Sequence, residues 1–303
     1  MLKLKAYAKV NWDLHVLGKR PDNFHALDTV MVNVSLHDTL TFEPGAHLAF
    51  TCGEPSLPTD ERNLVVKAAR LLAQASGRPL AARIHLGKNI PAGGGMGGGS
   101  SDGACALLGL NKLWALDWPL ERLQPLAAEL GSDVAFFLFG GWSRCLGRGE
   151  IVESLPGAEC WPRAHLLLIM PPLHVATPAV YTALQAPQWD GKTGMRRLAD
   201  VARQVKAALN ALDGSAAAAL GTRNDLTAPA RQVEPKLAPL QQVLEEHYPG
   251  RWLMSGSGAV HFAAARRQDD GPKLEAALTT ACGPGIRVAT VTTCEPEPRV
   301  SGL

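Results

Sequence analysis

The chain has 303 residues, of which 46% are hydrophobic and 19% are charged, and its formal net charge is +2 at pH 7. This balance favours a large buried core and disfavours extended disorder. The length exceeds what a single hydrophobic core usually supports and therefore predicts two lobes. The 30 lysines and arginines are scattered among 28 acidic residues, and the absence of a basic stripe disfavours nucleic-acid binding.

The N-terminus and the cysteines bear on the cellular location. Lys3 and Lys5 alternate with apolar residues, which is unlike a signal peptide, and no later run approaches membrane-spanning length. We therefore expect a cytoplasmic protein. The six cysteines lie far apart, form no CxxC pair and have no histidine at zinc-site spacing.

The N-terminal residues 2–16 alternate between apolar and other side chains, which predicts a strand or a bent strand pair. Lys9 and Asn11 are two residues apart and should project from the same face, where they can converge on one ligand. Further strands are predicted at 29–36 and 39–51. The chain should therefore open with an antiparallel sheet.

A helical pattern follows at 60–75 and a short strand pattern at 81–86. Residues 88–102, which come next, contain six glycines and lead into a second helical pattern that ends near Leu113. Glycines let backbone N–H groups approach an anion closely, and a helix start adds unpaired donors and a positive dipole end. This stretch therefore predicts a phosphate-binding loop.

The polar residues at the end of this loop have two interpretations. Ser100 and Asp102 are suited either to capping the helix or to contacting the ligand, whereas for Ser101 we predict a contact to a phosphate or a metal ion. Gly93, Gly95 and Gly98 have dinucleotide-loop spacing, but such a loop directly follows its strand, which is not the case here. The stretch has no Gly-Lys-Ser/Thr triplet and is not a P-loop. A flexible linker is disfavoured by the regular patterns on both sides.

The second half of the chain begins after Pro156, Gly157 and Pro162, which interrupt the pattern and predict a domain boundary near 156–163. The tail beyond Cys294 is expected to be loose. The predicted elements are a strand at 165–170, helices around 196–211 and 234–246, strands near 251 and at 259–264, a helix at 272–281 and a strand at 286–293.

Three segments, in this order, resemble the motifs of the GHMP small-molecule kinases: residues 8–11, 91–101 with the helical 104–114, and 254–258. Further segments resemble the branch that acts on a cytidine diphosphate-linked methylerythritol, in the non-mevalonate route to isopentenyl diphosphate: residues 20–25, 131–137, 147–150, 177–181 and 224–226.

The resemblance implies an α+β, two-domain GHMP kinase fold. Its ribosomal-protein-like N-terminal domain, residues 1–158, would bind ATP. Its ferredoxin-like C-terminal domain, residues 159–303, would close a cleft that holds the small-molecule substrate. The implied reaction uses ATP and Mg²⁺ to phosphorylate the 2-hydroxyl of the acceptor.

The resemblance also implies roles for residues at the acceptor end. Asp133 would be the catalytic base, with Lys9 as the companion that keeps it ionised. Phe24 and Tyr181 would be aromatic plates on either side of the cytosine, with His25 at its polar edge. The other implied acceptor contacts are Asn11 and Thr177.

At the nucleotide end, the resemblance places Lys88 near the ribose or the phosphates and Ser101 on the metal. The residues implied on the adenine side are Asn63, Leu64 and Val65. The residues implied around the phosphates are Pro91, Gly93, Gly94, Gly95, Gly97, Gly98, Gly99, Ser100 and Ser101. On local sequence alone, Asn63 could equally be the N-cap of the following helix, and a helix cap is the lesser alternative for Asp133.

Two other functions remain open, namely a GHMP kinase for mevalonate or homoserine and a noncatalytic RNA-binding module. A monomer and a homodimer are both compatible with the sequence. Six positions depart from the family pattern. They are Trp12 in place of leucine, Asn23 in place of glycine, Phe24 in place of tyrosine, Gly103 in place of alanine, and Trp142 and Arg144 in place of small residues.

Overall fold

The computed structural model describes residues 1–214, 222–265 and 271–295. Within these ranges the chain forms two β-sheets. The first has six strands in the order β3-β4-β2-β5-β6, with β1 paired to β2. Its strands are β1 (Leu2–Lys19), β2 (His25–Glu43), β3 (Leu48–Cys52), β4 (Ala82–Gly87), β5 (Trp142–Gly147) and β6 (Ile151–Ser154).

Strand β2 differs from the prediction, because the break expected near residue 38 does not exist. One strand runs from His25 to Glu43, with a bulge opposite Tyr7 and Ala8. The chain leaves the sheet only around Pro44 and Gly45, before β3 begins. The buried carboxylate of Asp38 is paired with a lysine far along the chain, and a strand can therefore continue through this polar position.

Four helices accompany the first sheet: α1 (Leu64–Ser76), α2 (Gly98–Leu113), α3 (Leu120–Leu130) and α4 (Val134–Phe139). Residues from α1 to α4 pack with this sheet in one hydrophobic cluster. A Cβ at Gly109 of α2 would lie 2.3 Å from the ring of Phe42 on β2. Glycine at this position therefore allows the helix to approach the sheet closely.

The second sheet has four antiparallel strands in the order β10-β7-β9-β8. Numbered along the chain, these strands lie in the order 4-1-3-2, which confirms the predicted ferredoxin-like arrangement. The elements of this half are β7 (His165–Met170), α5 (Thr177–Leu184), α6 (Leu198–Gly214), α7 (Thr227–Val233), α8 (Leu237–His247), β8 (Trp252–Met254), β9 (His261–Ala264), α9 (Gly271–Cys282) and β10 (Arg287–Thr292).

An aromatic cluster joins the two sheets and accounts for Trp12 and Trp142, two of the positions that depart from the family pattern. The ring of Trp12 meets that of Trp142 edge-on at 5.0 Å and stacks on Phe262 of the second sheet at 6.2 Å. Trp142 also contacts Trp161, with 5.9 Å between ring centroids. The two tryptophans therefore fill the seam between the halves, where burial of large aromatic rings stabilises the packing.

Arg144, a third position that departs from the family pattern, belongs to a buried ionic network. Its guanidinium donates to both carboxylate oxygens of Asp28, at 3.1 and 2.8 Å. Burial alone would raise the pKa of Asp28, but hydrogen bonds from Arg144 and Arg196 outweigh burial and lower this pKa to about 2. Arg144 is thus the counter-ion of a carboxylate that is completely shielded from solvent.

The division at residues 158 and 159 stays a prediction, although the last strand of the first sheet ends at Ser154 and the second sheet begins at His165. In the described ranges, no helix combines the length and apolar character needed to cross a bilayer. The tail beyond Cys294, which is predicted to be loose, lies outside the described residues except for Glu295.

Candidate active site

A cavity of about 930 Å³ opens between the first hairpin, the glycine loop and α5. Its size is at the upper end of the range for ligand pockets, roughly 300 to 1,000 Å³. Both halves of the chain contribute to its walls, since Lys9 and Asp133 come from the first half and Thr177 and Ser257 from the second. The cavity therefore has room for two ligands side by side.

The glycine loop forms one wall of the cavity. Every residue from 91 to 100 lines it. The loop is anchored at three points, since Lys9 N donates to Met96 O, Val260 N to Gly94 O and Ser255 Oγ to Gly95 O, at 3.1, 3.2 and 3.0 Å. The three motif segments identified in the sequence therefore meet at this loop.

Helix α2 begins directly at the loop, with Gly97 at its N-cap and no side-chain cap. Of the two interpretations of Ser100 and Asp102, capping of this helix is wrong, because the helix starts at Gly98 and both residues lie inside it. The N–H groups of the first turn therefore remain available to an anion. This geometry is suited to the predicted phosphate cradle.

The two serines of the loop point in different directions. The hydroxyl of Ser101 is buried and donates to Tyr7 O at 2.7 Å, whereas Ser100 lines the cavity. A metal contact by Ser101 stays a prediction, and the geometry favours Ser100 for a contact to the ligand. Among the described residues, no group of three or more His, Cys, Asp or Glu side chains forms a metal site.

Lys88 does not line the cavity. Its ammonium lies 2.5 Å from Asp38 Oδ2 and 2.9 Å from Asp102 Oδ2, and its side chain is 8% exposed. Burial, with the nearby charge of Asp38, raises the pKa of Asp102 to about 8 against the opposing effect of Lys88. Asp38 also accepts from the N–H groups of Asn89 and Ile90. The cluster therefore holds the start of the loop, and nucleotide contact by Lys88 stays a prediction.

Of the three residues predicted on the adenine side, Leu64 lines the cavity. Asn63 instead caps α1, with its side chain accepting from Val65 N at 3.0 Å. Val65 itself is fully buried in the core. The structure therefore brings Leu64 alone of this segment to the cavity wall.

The predicted catalytic residues lie together at the middle of the cavity. Lys9 Nζ is 3.5 Å from Asp133 Oδ2 and donates to Asn11 Oδ1 at 2.5 Å. Lys9 is 3% exposed, whereas the side chain of Asp133 is 31% exposed. Asp133 precedes α4, but its side chain makes no capping hydrogen bond, so that the helix-cap alternative is wrong. A buried cation thus faces a carboxylate that a ligand can reach. A carboxylate in this position can accept a proton from the ligand.

The aromatic end of the cavity differs from the predicted arrangement. The ring of His25 stacks on Tyr181 at 4.8 Å, whereas His25 was expected at the edge of a base between Phe24 and Tyr181. Phe24 is half exposed and lies under the guanidinium of Arg148, 4.8 Å from ring centroid to Cζ. Thr177 Oγ1 lies 2.7 Å from Ser257 Oγ. All of these residues line the cavity.

Two basic residues at this end were missed by sequence reasoning. Arg148 lies in the segment 147–150 that carries the resemblance, but the resemblance implies no role for it, and no pattern in the sequence indicates a role for Lys19. In the register of the first hairpin Lys19 pairs with His25, and the side chains of these two residues therefore lie on the same face. Burial, the larger effect, and the charge of Lys19 lower the pKa of His25, which keeps this ring neutral at pH 7.

Comparison with known proteins gives a consistent result. The family described as GHMP kinases N terminal domain matches residues 63–141. A relative from Chromobacterium violaceum, named 4-diphosphocytidyl-2-C-methyl-D-erythritol kinase, is 38% identical over 90% of this chain and 89% of its own length. A Synechococcus protein of the same name is 42% identical over 86% of each chain.

Among solved structures, a 4-(cytidine 5'-diphospho)-2C-methyl-D-erythritol kinase is 31% identical, with a TM-score of 0.76 over 97% of this chain and 100% of that one. The fold, the three motif segments that meet at one cavity and these full-length similarities all agree. The chain therefore belongs to the 4-diphosphocytidyl-2-C-methyl-D-erythritol kinase family and has the GHMP kinase fold.

Proposed function

We propose that this protein transfers the γ-phosphoryl group of ATP to the 2-hydroxyl of 4-diphosphocytidyl-2-C-methyl-D-erythritol, in the non-mevalonate route to isopentenyl diphosphate. The observation that carries the proposal is the continuity of one cavity. It runs from an uncapped helix N-terminus, past the pair formed by Lys9 and Asp133, to an end with aromatic and basic side chains. Phosphoryl transfer needs these parts in line.

The glycine loop is suited to the phosphates of ATP. Backbone N–H groups and the positive end of α2 favour bound negative charge. Mg²⁺ usually binds through substrate phosphates and only one or two protein oxygens. Among the described residues that line the cavity, Asp133 supplies the carboxylate. We propose that a serine hydroxyl of the loop, at Ser100 or Ser101, is the protein ligand of the Mg²⁺ ion. When bound, the ion would neutralise charge on the transferring group.

The chemistry of the acceptor hydroxyl is assigned to Asp133. Its exposed carboxylate is placed to accept the proton that the 2-hydroxyl loses as its oxygen bonds to phosphorus. The ammonium of Lys9 lies 3.5 Å from this carboxylate and would stabilise negative charge that develops on the reacting oxygens. Asn11 holds the Lys9 ammonium in place, since its own amide donates to Thr29 Oγ1 at 2.9 Å.

The aromatic end is assigned to the cytidine diphosphate of the acceptor. The stacked pair of His25 and Tyr181 offers a flat surface for a base, and stacking of this kind contributes about 1 to 3 kcal/mol per base. Lys19 and Arg148 add two positive charges at the same end, which is suited to a diphosphate. Among the described residues, Lys19 has no carboxylate within ion-pair distance.

This end of the cavity favours a cytidylated acceptor over homoserine or mevalonate, because those acceptors have no base to stack. A solved homoserine kinase from Cytophaga hutchinsonii is only 18% identical, with a TM-score of 0.67 over 97% of this chain and 95% of that one. That likeness shows the fold alone. The balanced charge of the chain gives the RNA-binding alternative no support.

Replacing Gly97 by alanine is expected to raise the KM for ATP by at least about tenfold. Gly97 has a φ of 68°, and a Cβ there would lie 2.7 Å from the ring of Phe137, so that the loop must shift. Steady-state kinetics at varied ATP concentration would measure the effect. Gly53→Ala is the matched control, since its nearest neighbour atom would be 3.7 Å away. An unchanged KM for ATP in Gly97→Ala would count against the loop as the phosphate site.

Release of ADP by the purified protein tests the proposed reaction. With ATP and Mg²⁺, we expect release with 4-diphosphocytidyl-2-C-methyl-D-erythritol and none above background with homoserine, mevalonate or no acceptor. Release with homoserine or mevalonate would retain the kinase mechanism and overturn the assignment of the aromatic end. No release with any acceptor would contradict the proposal as a whole.

A further inference from the structure

A segment of the second half of the chain lies along the first hairpin. We call residues 185–197 the strap. Near its start, Lys19 N donates to Pro187 O at 2.7 Å and Trp189 N donates to Lys19 O at 2.9 Å. A Cβ at Gly18 would lie 2.8 Å from Pro187 O. The strap is therefore hydrogen-bonded to the end of β1 at a point where only glycine permits the approach.

The middle of the strap is a turn held by its own side chains. The carboxylate of Asp190 accepts from the N–H groups of Lys192 and Thr193, at 2.9 and 2.7 Å. The indole of Trp189 donates to Thr193 O at 3.0 Å. These hydrogen bonds stabilise the turn locally. They do not determine how the end of the strap lies on the hairpin.

Arg196 fixes that far end. Its guanidinium donates to Asp13 Oδ2 at 2.7 Å and to Asp28 Oδ1 at 2.6 Å, with longer contacts to Asp13 Oδ1 and Asp28 O. Its backbone N–H donates to Asp28 Oδ2 at 3.1 Å. Asp13 is on β1 and Asp28 on β2, and both are buried. One guanidinium thus ties the strap to both strands of the hairpin.

Arg196 is the cation that pairs with both Asp13 and Asp28 within the described part of the chain. Arg144 is bound to Asp28 and Glu153. His15 Nε2 is 3.9 Å from Asp13 Oδ2, but burial first and the charge of Arg196 second lower the pKa of His15. The strap is consequently held by an interaction that only a planar, multivalent cation can make on both carboxylates.

Both ends of this arrangement reach the cavity. At the start of the strap, Gln185 and Ala186 line the cavity wall next to α5. At the hairpin, Thr29 Oγ1 donates to Asp13 O at 2.5 Å and accepts from the amide of Asn11, which holds Lys9. A displacement of the strap or of Asp13 would therefore change the wall at the acceptor end and the position of Asn11.

We propose that Arg196 is a positioning residue for the acceptor end of the cavity, which it sets by clamping the strap to Asp13 and Asp28. The assignment of this end to the acceptor rests on the proposed function. In the described part of the chain no hydrogen bond or ion pair joins the strap directly to the glycine loop, and the KM for ATP should therefore respond much less to Arg196 than the KM for the acceptor.

The test compares Arg196→Lys and Arg196→Met with the wild type. Lysine keeps the charge but cannot bridge two carboxylates in the same way, and it remains informative if the methionine variant does not fold. Arg197→Met is the matched control, because the side chain of the neighbouring Arg197 is 86% exposed and, among the described residues, forms an ion pair with Asp200 on α6 alone. The measurements are the KM values for both substrates, the affinity for cytidine 5'-diphosphate by calorimetry, and the rate of trypsin cleavage after Lys192.

For Arg196→Lys we expect about a tenfold rise in the KM for the acceptor and in the dissociation constant for cytidine 5'-diphosphate, because a small displacement of positioning groups has effects of this size or larger. The KM for ATP should change less than twofold, and cleavage after Lys192 should accelerate. Arg197→Met should behave as the wild type in each assay. Each effect expected for Arg196→Lys should be larger in Arg196→Met.

Equal rises in both KM values would overturn the proposal, since they would indicate a general structural role. Unchanged cleavage after Lys192 would also overturn it, because the strap would then not depend on the clamp. A wild type that fails to phosphorylate the acceptor would contradict the proposed function and not the clamp, which nucleotide affinity and cleavage still test.

Discussion

Replacement of Asp133 by asparagine is expected to lower kcat by about 10² to 10⁴, the usual contribution of a positioned general base. Asparagine has nearly the same shape but cannot accept the proton of the 2-hydroxyl. Helix α4 should be unaffected, because Asp133 makes no capping hydrogen bond. Both KM values should change far less than kcat, since loss of a group that acts in the transition state lowers turnover rather than binding. Steady-state kinetics with the cytidylated acceptor would measure both.

Asp117→Asn is the matched control for this variant. Asp117 lies between α2 and α3 with a φ of 50°, a conformation that asparagine also adopts readily, and it does not line the cavity. Its kinetics should equal those of the wild type. A loss below tenfold in Asp133→Asn would contradict the assignment of Asp133 as base and leave it a positioning residue, which a loose phosphoryl-transfer transition state permits.

The parts of the fold that could be predicted were those with a local pattern. The alternation in residues 2–16, the two helical patterns that flank 81–86 and the strand at 165–170 all correspond to observed elements. The continuous strand β2 could not be predicted, because Asp38 resembles a turn residue locally. Its charge is satisfied by Lys88, 50 positions away in the chain, and no local pattern records such a pairing.

The candidate site shows the same limit at the level of single side chains. The glycine loop was predictable, whereas the roles of its serines were not. Successive residues of a helix point about 100° apart, so that the start at Gly98 decides that Ser100 faces the cavity and Ser101 faces Tyr7. Only the position of the helix start in three dimensions fixes this direction.

The arrangement of side chains at the acceptor end is determined mainly by contacts between segments that are distant in the sequence. The stacking of His25 on Tyr181 joins the first hairpin to α5, and no local pattern favours this stacking over a base held between Phe24 and Tyr181. Arg144 is explained by Asp28, a distant residue in the sequence with which both Arg144 and Arg196 form ion pairs. Packing and ion pairs between elements far apart in sequence are set by the whole fold.

Replacement of Lys9 by methionine is expected to lower kcat by about 10² to 10³, the cost of removing one group that stabilises charge in the transition state. Methionine fills a similar volume, and Lys9 is buried. The side chain of Asp133 is 31% exposed, so that removal of Lys9 leaves no unpaired carboxylate shielded from water, but the buried Asn11 Oδ1 loses its donor, at a cost of about 1 to 3 kcal/mol. The thermal midpoint of unfolding should therefore fall by only a few degrees, and Lys3→Met, at an exposed position, should change neither midpoint nor kcat.

The double variant, with both Lys9→Met and Asp133→Asn, tests whether the two residues work together. Lys9 Nζ and Asp133 Oδ2 are 3.5 Å apart, and residues that act as one catalytic unit have strongly non-additive effects. The double variant should therefore lose little more turnover than the more damaged single variant. Multiplicative losses would instead show that Lys9 acts on the phosphoryl group independently of Asp133, and the proton would then be removed without help from the ammonium.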